Sequence, residues 1–310
     1  DNTRVVSMNL GNLFNGEGRT RRFPTQRGAD TEKEYQRQLA KIVATIVQSE
    51  ADILALNELE NDGFGEHSAM ADLVAALARA GRTFQPVEHG KRIGSDAITN
   101  ALLYDPARVT AVGQPGVLTR GPFSRNSRPP LLQHFQASGQ DSTVFAISVN
   151  HFKARTCRGA RGDERDSGEG CWNATRRTAS RLLLEWLDDR SDREVLLVGD
   201  LNAYRQEAPL QELQRAGFIN LFGREPGYSY SYFGEVGRLD HALATPALAG
   251  CISATTWHSN ADEPRVLDYN LEYQSADQQQ RWYAADPWRA GDHDPLVLDI
   301  DWLACEQIGD

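Results

Sequence analysis

No apolar run in the 310-residue chain approaches the length that spans a bilayer, so a membrane-crossing helix is excluded and a soluble protein is expected. Positive charge is in deficit. Lys and Arg number 33 against 43 Asp and Glu, a formal net charge of −10. That argues against a broad basic surface gripping nucleic acid, but not against a local basic groove. Cysteine is scarce, and its four positions show no CxxC or metal-finger spacing, which excludes a zinc finger. No hydrophobic leader is expected in the numbered chain either, since Asp1 runs straight into Arg4-Val-Val-Ser-Met8. The numbered chain is therefore expected to be a mature form or an excised domain. Repeats, low-complexity tracts and linkers are missing, so residues 1–310 are read as a single domain. At 40% hydrophobic and 25% charged, its composition is ordinary for a globular protein.

Cys157 and Cys171 bracket a loop of Arg, Gly, Asp and Glu that has almost no apolar residues to hold it. A disulfide across its neck would supply about 3 kcal/mol by the chain-entropy model. Cys251 and Cys305 would then pair and tie down the tail, although four cysteines allow three pairings. An even count in this context favours a secreted or periplasmic protein.

The pattern is that of an α/β domain. Val5 to Asn9, Asp52 to Leu56, Val195 to Val198, Leu239 to Leu243 and Leu296 to Ile300 read as strands. Ala97–Tyr104 and Val109–Val117 read as two more, with Asp105-Pro106 as the turn between them. Leu131–Gln136 and Val144–Val149 form another apparent pair. Helices are expected from Lys33, with Leu39, Ile42, Val43, Ile46 and Val47 on one stripe, and over Ser68–Ala80, Asn173–Asp188 and Gln206–Gly217. Leu10–Asp30 is a long polar loop, and 261–283 is a long polar stretch. Strands outnumber helices and several look hairpin-like, which favours mixed sheets with helices outside.

Polar residues end these strands repeatedly: Asn9, Glu58, His151, Asp200 with Asn202, Asp240, and Asp292 with His293. Each alone has an ordinary explanation, since strand ends meet water. Asp200-Leu-Asn202 after Gly199 also reads as an Asx turn closing a strand. Together, carboxylates and amides suit a hard divalent cation, and histidines without nearby cysteines suit acid–base work or phosphate contact. The remaining histidines weigh less. His241 faces away from Asp240 and is expected to be packed or hydrogen-bonded. His67 and His89 fall in polar turns, and His134 and His258 show no partner signal.

In order and in type, these residues resemble the endonuclease/exonuclease/phosphatase superfamily, which holds deoxyribonuclease I, abasic-site endonucleases, neutral sphingomyelinases and inositol-polyphosphate phosphatases. The resemblance runs from Val5 to about Ile300. Leu59-Glu-Asn-Asp62, Asn150-His-Phe-Lys153, Gly170-Cys-Trp-Asn173 and Asn260-Ala-Asp-Glu-Pro-Arg-Val-Leu-Asp-Tyr-Asn270 look like its secreted bacterial extracellular deoxyribonucleases. The resemblance implies a four-layer α/β/β/α sandwich of two mixed sheets. Glu58 would be the principal Mg²⁺ carboxylate, helped by Asn9 and Asp292; Mn²⁺ could substitute, and Ca²⁺ could bind as a structural ion. Asp200 and Asn202 would hold the attacking water or a second metal. His151 and His293 would flank the scissile phosphate, with Asp240 orienting His293 and Asp96 the nearest candidate for His151. Asp200 and His293 are assigned to the water side and His151 to the phosphate or leaving-group side. Arg128 resembles an arginine that contacts phosphate.

The implied substrate is DNA, with RNA a further candidate; no membrane and no obligate protein partner are indicated. Lys153, Arg155, Arg158, Arg161 and Arg165, with Arg19, Arg21 and Arg22, could form a local groove for the phosphate backbone, or simply a solvated loop. Tyr228-Ser-Tyr-Ser-Tyr232 reads as a half-exposed strand, with stacking on substrate the other reading. Two rivals stand beside the nuclease: a phosphomonoesterase or sphingomyelinase, and a non-catalytic binding or adhesion domain. A sphingomyelinase should show an exposed aromatic hairpin, and none is evident, although Trp282-Tyr283 and Trp288 could form such a surface.

Overall fold

The computed structural model describes residues 2–90, 92–138, 144–190, 193–223 and 227–308. The first half of the chain runs β1 (Asn2–Leu13), α1 (Glu32–Ser49), β2 (Ile53–Glu60), α2 (Ala69–Arg79), β3 (Gln85–Pro86), β4 (Ile98–Tyr104), β5 (Val109–Val117), β6 (Arg128–Ala137) and β7 (Val144–His151). The second half runs α3 (Asn173–Arg190), β8 (Glu194–Asp200), α4 (Ala208–Arg215), β9 (Ile219–Asn220), β10 (Tyr230–Tyr232), β11 (Glu235–Gly237) and β12 (Asp240–Ala244). It closes with α5 (Pro246–Ala249), β13 (Ile252–Thr256), α6 (Ala276–Arg281), β14 (Leu296–Asp301) and α7 (Trp302–Ile308).

One six-stranded sheet has the order β13-β14-β1-β2-β4-β3, the other β5-β6-β7-β8-β12-β9, and β10-β11 stand apart as a hairpin. Each large sheet is antiparallel except for one central parallel pair, β1 with β2 and β7 with β8. A parallel pair needs a crossover, and α1 and α3 supply the two. Thr31 caps α1 by accepting from the Glu34 amide, and Glu32 and Glu34 favour the positive end of its dipole.

Strand alternation builds the layers. Val5, Ile53 and Leu298 of the first sheet meet Phe135, Ile147 and Val198 of the second in the central core. Val6, Met8, Leu54 and Leu56 point the other way, onto Ile42 and Ile46 of α1 and Leu73 and Leu77 of α2. Ala146 and Leu197 likewise face Leu183 and Leu187 of α3 and Leu210 and Leu213 of α4. The result is helix, sheet, sheet, helix. Each fully buried Leu or Ile contributes about 1.5–3 kcal/mol, so the alternation itself holds the layers together.

The disulfides are Cys157–Cys171 and Cys251–Cys305, each with a Cα–Cα distance of 5.1 Å. One closes the neck of the Arg-rich loop and the other ties α7 to the strand edge. The Asp105-Pro106 segment, however, is not a hairpin turn. β4 pairs with β2 and β3, whereas β5 pairs with β6, so the chain there crosses from one sheet to the other. The short edge strand β13 has too little apolar content to announce itself.

Candidate active site

The two parallel pairs end side by side. Asn57, opposite Asn9 on β1, sends its Nδ2 across the sandwich to the Asn150 carbonyl at 3.1 Å and accepts from the Asp200 amide at 3.0 Å. Asn100 accepts from Asn57 at 2.7 Å and donates to the Pro129 carbonyl at 2.9 Å. These two buried amides fasten the sheets together directly beneath the strand tips. Nothing in the sequence gives them this role, because the backbone groups they fasten lie on the other sheet.

Gly199 does not end β8; it lies within the strand at φ +125°, in register with Asn150. A Cβ there would lie 2.1 Å from the Asn150 carbonyl oxygen, so only glycine permits β7 and β8 to approach so closely. His151 and Asp200 consequently sit in register at the two tips. The Asx turn is also present: the Asn202 amide donates to Asp200 Oδ1 at 2.8 Å, with Asn202 at φ +49°. That turn leaves Asp200 Oδ2 facing two imidazoles, at 3.4 Å from His151 Nε2 and 4.0 Å from His293 Nε2. Asp240 lies opposite Asp200 across β8 and β12 and accepts from His293 Nδ1 at 2.7 Å. Ser229, which carries no sequence signal, fixes Asp240 through its hydroxyl at 2.6 Å.

Glu58 arrives from the first sheet. β2 runs on through it with a register shift, and Glu58 itself takes φ +64°. Such a conformation in a non-glycine residue marks local strain held by its surroundings. Its carboxylate comes within 3.8 Å of His151 Nε2 and lines a cavity of about 290 Å³ together with Asp292. Burial, then the charge of Asp292, pushes the Glu58 carboxyl up, while Asn9 beside it pulls down. Two carboxylates that repel each other suit a hard divalent cation such as Mg²⁺, so Glu58 and Asp292 fit one, with Asn9 beside Glu58 and its Oδ1 accepting from the Gly11 amide at 3.0 Å. Asp200, Asp240 and His293 also bring ligand atoms within 4.8 Å of one another. The His293–Asp240 hydrogen bond already occupies that trio, which we read as acid–base machinery.

Burial raises Asp200 to about 7, with nearby Asp240 adding to the rise. Burial would lower His293, but the charge and hydrogen bond of Asp240, with Asp292 and Asp200, carry it well above its usual value. His151 is lowered well below its usual value by burial and then by Arg128. Arg128 lies opposite His151 and donates to the Phe152 carbonyl at 3.0 Å. Asp96 pairs with Arg128 at 3.4 Å and Arg27 at 3.0 Å instead of orienting His151, whose Nδ1 has no partner among the described residues.

The basic segment is partly committed elsewhere. Arg155 pairs with Glu207 at 2.5 Å and lies over Tyr204, bracing the Asn202 turn through its carbonyl at 3.4 Å. Arg21 pairs with Asp72 at 2.6 Å. Lys153 lies over the Trp172 ring at 4.9 Å, and Arg158, Arg161 and Arg165 are exposed.

His241 is buried and donates to the Ala203 carbonyl at 2.8 Å, as expected of a packed histidine. His258 does have a partner, Asp294 at 2.8 Å, and stacks on Tyr228. His89 is half-buried against Phe64, not simply a surface residue. The Asn260–Asn270 stretch supports the site: Asn260 donates to the His293 carbonyl at 2.7 Å, and Asp294 accepts from the Ser259, Asn260 and Ala261 amides. An exposed aromatic hairpin exists after all, in β10–β11, with Tyr232 and Phe233 at its tip. Tyr230 from that hairpin lies against the His293 ring at 4.6 Å. A hollow of about 550 Å³ beside Tyr204, Phe222 and Arg238 is lined by none of Glu58, His151, Asp200, Asp240, Asp292 and His293.

The model of the endonuclease/exonuclease/phosphatase family matches residues 12–293. No curated protein matches the chain by sequence. Among solved structures, the human Nocturnin catalytic domain with bound sulfate is similar at 17% identity and TM-score 0.59, over 97% of this chain and 94% of that one. An endonuclease/exonuclease/phosphatase from Bacteroides vulgatus is similar at 15% identity and TM-score 0.60, over 97% and 99%. D. rerio TDP2 complexed with a single strand DNA product is similar at 12% identity and TM-score 0.53, again over 97% and 99%. At such identities the likeness shows the fold: two mixed six-stranded sheets flanked by helices.

Proposed function

The chain belongs to the endonuclease/exonuclease/phosphatase family, and from that premise we propose that it is a secreted, Mg²⁺-dependent endonuclease of the bacterial extracellular deoxyribonuclease branch. It cuts DNA phosphodiesters with little sequence preference and leaves 5′-phosphate ends. Family members are metal-dependent hydrolases of phosphodiesters and phosphomonoesters, and a similar fold, D. rerio TDP2, is seen with a DNA product. The observation that carries the reading is the placement of Asp200 between His151 and His293, with Glu58 also at the His151 ring.

A phosphodiester's negative oxygens repel a hydroxide, so charge must be neutralised before water can attack. Asn9, Glu58 and Asp292 would hold the cation, which supplies that neutralisation when bound. Asp200, brought to about 7 by burial, is poised to take the proton of the attacking water. His293, kept protonated by Asp240, supplies positive charge beside the phosphate. His293, grouped with Asp200 on the water side from sequence, serves there as a cation, because a protonated imidazole cannot accept the water's proton. His151 stays neutral and can offer the leaving oxygen a hydrogen bond, the departing alkoxide taking its proton from solvent water, and Arg128 binds a phosphate oxygen. The two disulfides support export to an oxidising compartment.

Plasmid nicking tests this. Nicking is expected with Mg²⁺ or Mn²⁺, and is expected to vanish with EDTA and to fall about 10²–10⁴-fold in His151→Ala and in Asp200→Ala. Nicking that survives EDTA would remove the metal mechanism. Hydrolysis of sphingomyelin or a phosphomonoester without DNA cleavage would assign the chain to another activity of its family.

A further inference from the structure

The hairpin tip is unexplained by the catalytic groups. The turn between paired Tyr232 and Glu235 runs through Phe233 at φ +48° and Gly234 at φ +84°. Two positive φ values in a two-residue hairpin call for Asn-Gly or similar; a phenylalanine in the first position is a backbone outlier. Packing does not compensate, because Phe233 is 91% exposed. Rings lead inward from it: Phe233 meets Tyr232 edge-on at 4.7 Å, Tyr232 stacks on Tyr230 at 6.4 Å, and Tyr230 lies on catalytic His293 at 4.6 Å.

Beside the tip lies a trough of about 440 Å³ between Tyr232 and Phe233 on one side and Asp262, Glu263, Arg265 and Arg289 on the other. Arg289 also lines the cavity of Glu58 and Asp292, so the two hollows share it as a wall. It is only 8% exposed, and its Nη1 donates to the Asn260 and Ala261 carbonyls. Aromatic faces stack on bases, carboxylates accept from exocyclic amino groups, and guanidiniums donate to base carbonyls or phosphate. Asp262 and Glu263 would repel a run of phosphates or an anionic headgroup; a nucleobase accommodates both signs.

Resting on the nuclease reading above, we propose that this trough is a subsite for an unpaired nucleobase of the substrate strand, with Phe233 and Tyr232 as its stacking platform. In a duplex, base faces are already stacked on their neighbours, so only single-stranded or frayed substrate can use the platform.

The test measures kcat and KM for Phe233→Asn, which suits the turn, and for Phe233→Trp. Substrates are a single-stranded oligonucleotide, its fully paired duplex, and bis(p-nitrophenyl) phosphate as a small diester. Phe233→Asn should raise KM on the single strand about tenfold with kcat unchanged, and leave the duplex and the small diester alone. Phe233→Trp should restore the single-strand KM. Equal KM changes on single strand and duplex, or none on either, would overturn the subsite. So would binding of wild type to phosphatidylcholine–sphingomyelin vesicles that Phe233→Asn abolishes, which would assign the tip to lipid. Cleavage of the small diester but of neither oligonucleotide would instead bring down the nucleic-acid reading, and the subsite with it.

Discussion

Single residues in the site are set to different protonation states by what surrounds them. Asp200 and His293 sit 4.0 Å apart; burial raises the one, while burial would lower the other and the charge and hydrogen bond of Asp240, with Asp292 and Asp200, together raise it. Both therefore hold a proton more tightly than they would in water, for different reasons. His241 shows the opposite case behind the Asp200 turn. Burial lowers it to about 4, and its ring donates to the Ala203 carbonyl. As pH falls below about 6.5, the unfolded chain takes up this proton before the folded one. Stability from His241 is therefore complete above that pH and is lost down to about 4, by a few kcal/mol in all. Glu60 and Asp62, raised by burial to about 7 and about 6, act with the opposite sign in the same window. A comparison with His241→Gln separates them, because the amide keeps a donor and does not titrate. Urea unfolding at pH 7.5 and 4.5 should show the variant losing less stability than the wild type; equal losses would mean that His241 is not held neutral.

Among the elements, the close approach of β7 and β8 is the decisive contact, and Gly199 permits it. Gly199→Ala should cost at least about 3 kcal/mol in denaturant unfolding, since the new methyl must displace the Asn150 carbonyl at a backbone angle L residues avoid. Activity should fall further than the loss of folded protein explains, as His151 and Asp200 lose their register. A stable, fully active Gly199→Ala would contradict this role. Which elements could be read from sequence follows from their length and burial. Val195–Val198 is an unbroken apolar run and α1 carries a clean stripe, so both stand out. β10 and β11 have three residues each and take their form from a turn that breaks the usual residue preference, so the hairpin read as one half-exposed strand. β4 and β5 read as neighbours because sequence shows a turn but not which sheet each strand joins.

The whole molecule is two βαβ units placed face to face, so that the tips of their parallel pairs meet. The residue types at those tips were legible in sequence, since Asn, Glu, Asp and His recur after apolar strands. Their supports were not: Asn57, Asn100, Ser229 and the true partners of Asp96 act across elements far apart in the chain. The assembled tips offer a cation two settings, Asn9–Glu58–Asp292 or Asp200–Asp240–His293. Anomalous diffraction from crystals soaked in Mn²⁺ distinguishes them directly. The predicted result is a peak within coordination distance of the Glu58 and Asp292 carboxylates that disappears in Glu58→Gln, with the His293–Asp240 hydrogen bond intact. A peak seated between Asp200 and Asp240 with that hydrogen bond broken, or no peak at the strand tips, would contradict the division between metal-holding and proton-handling residues.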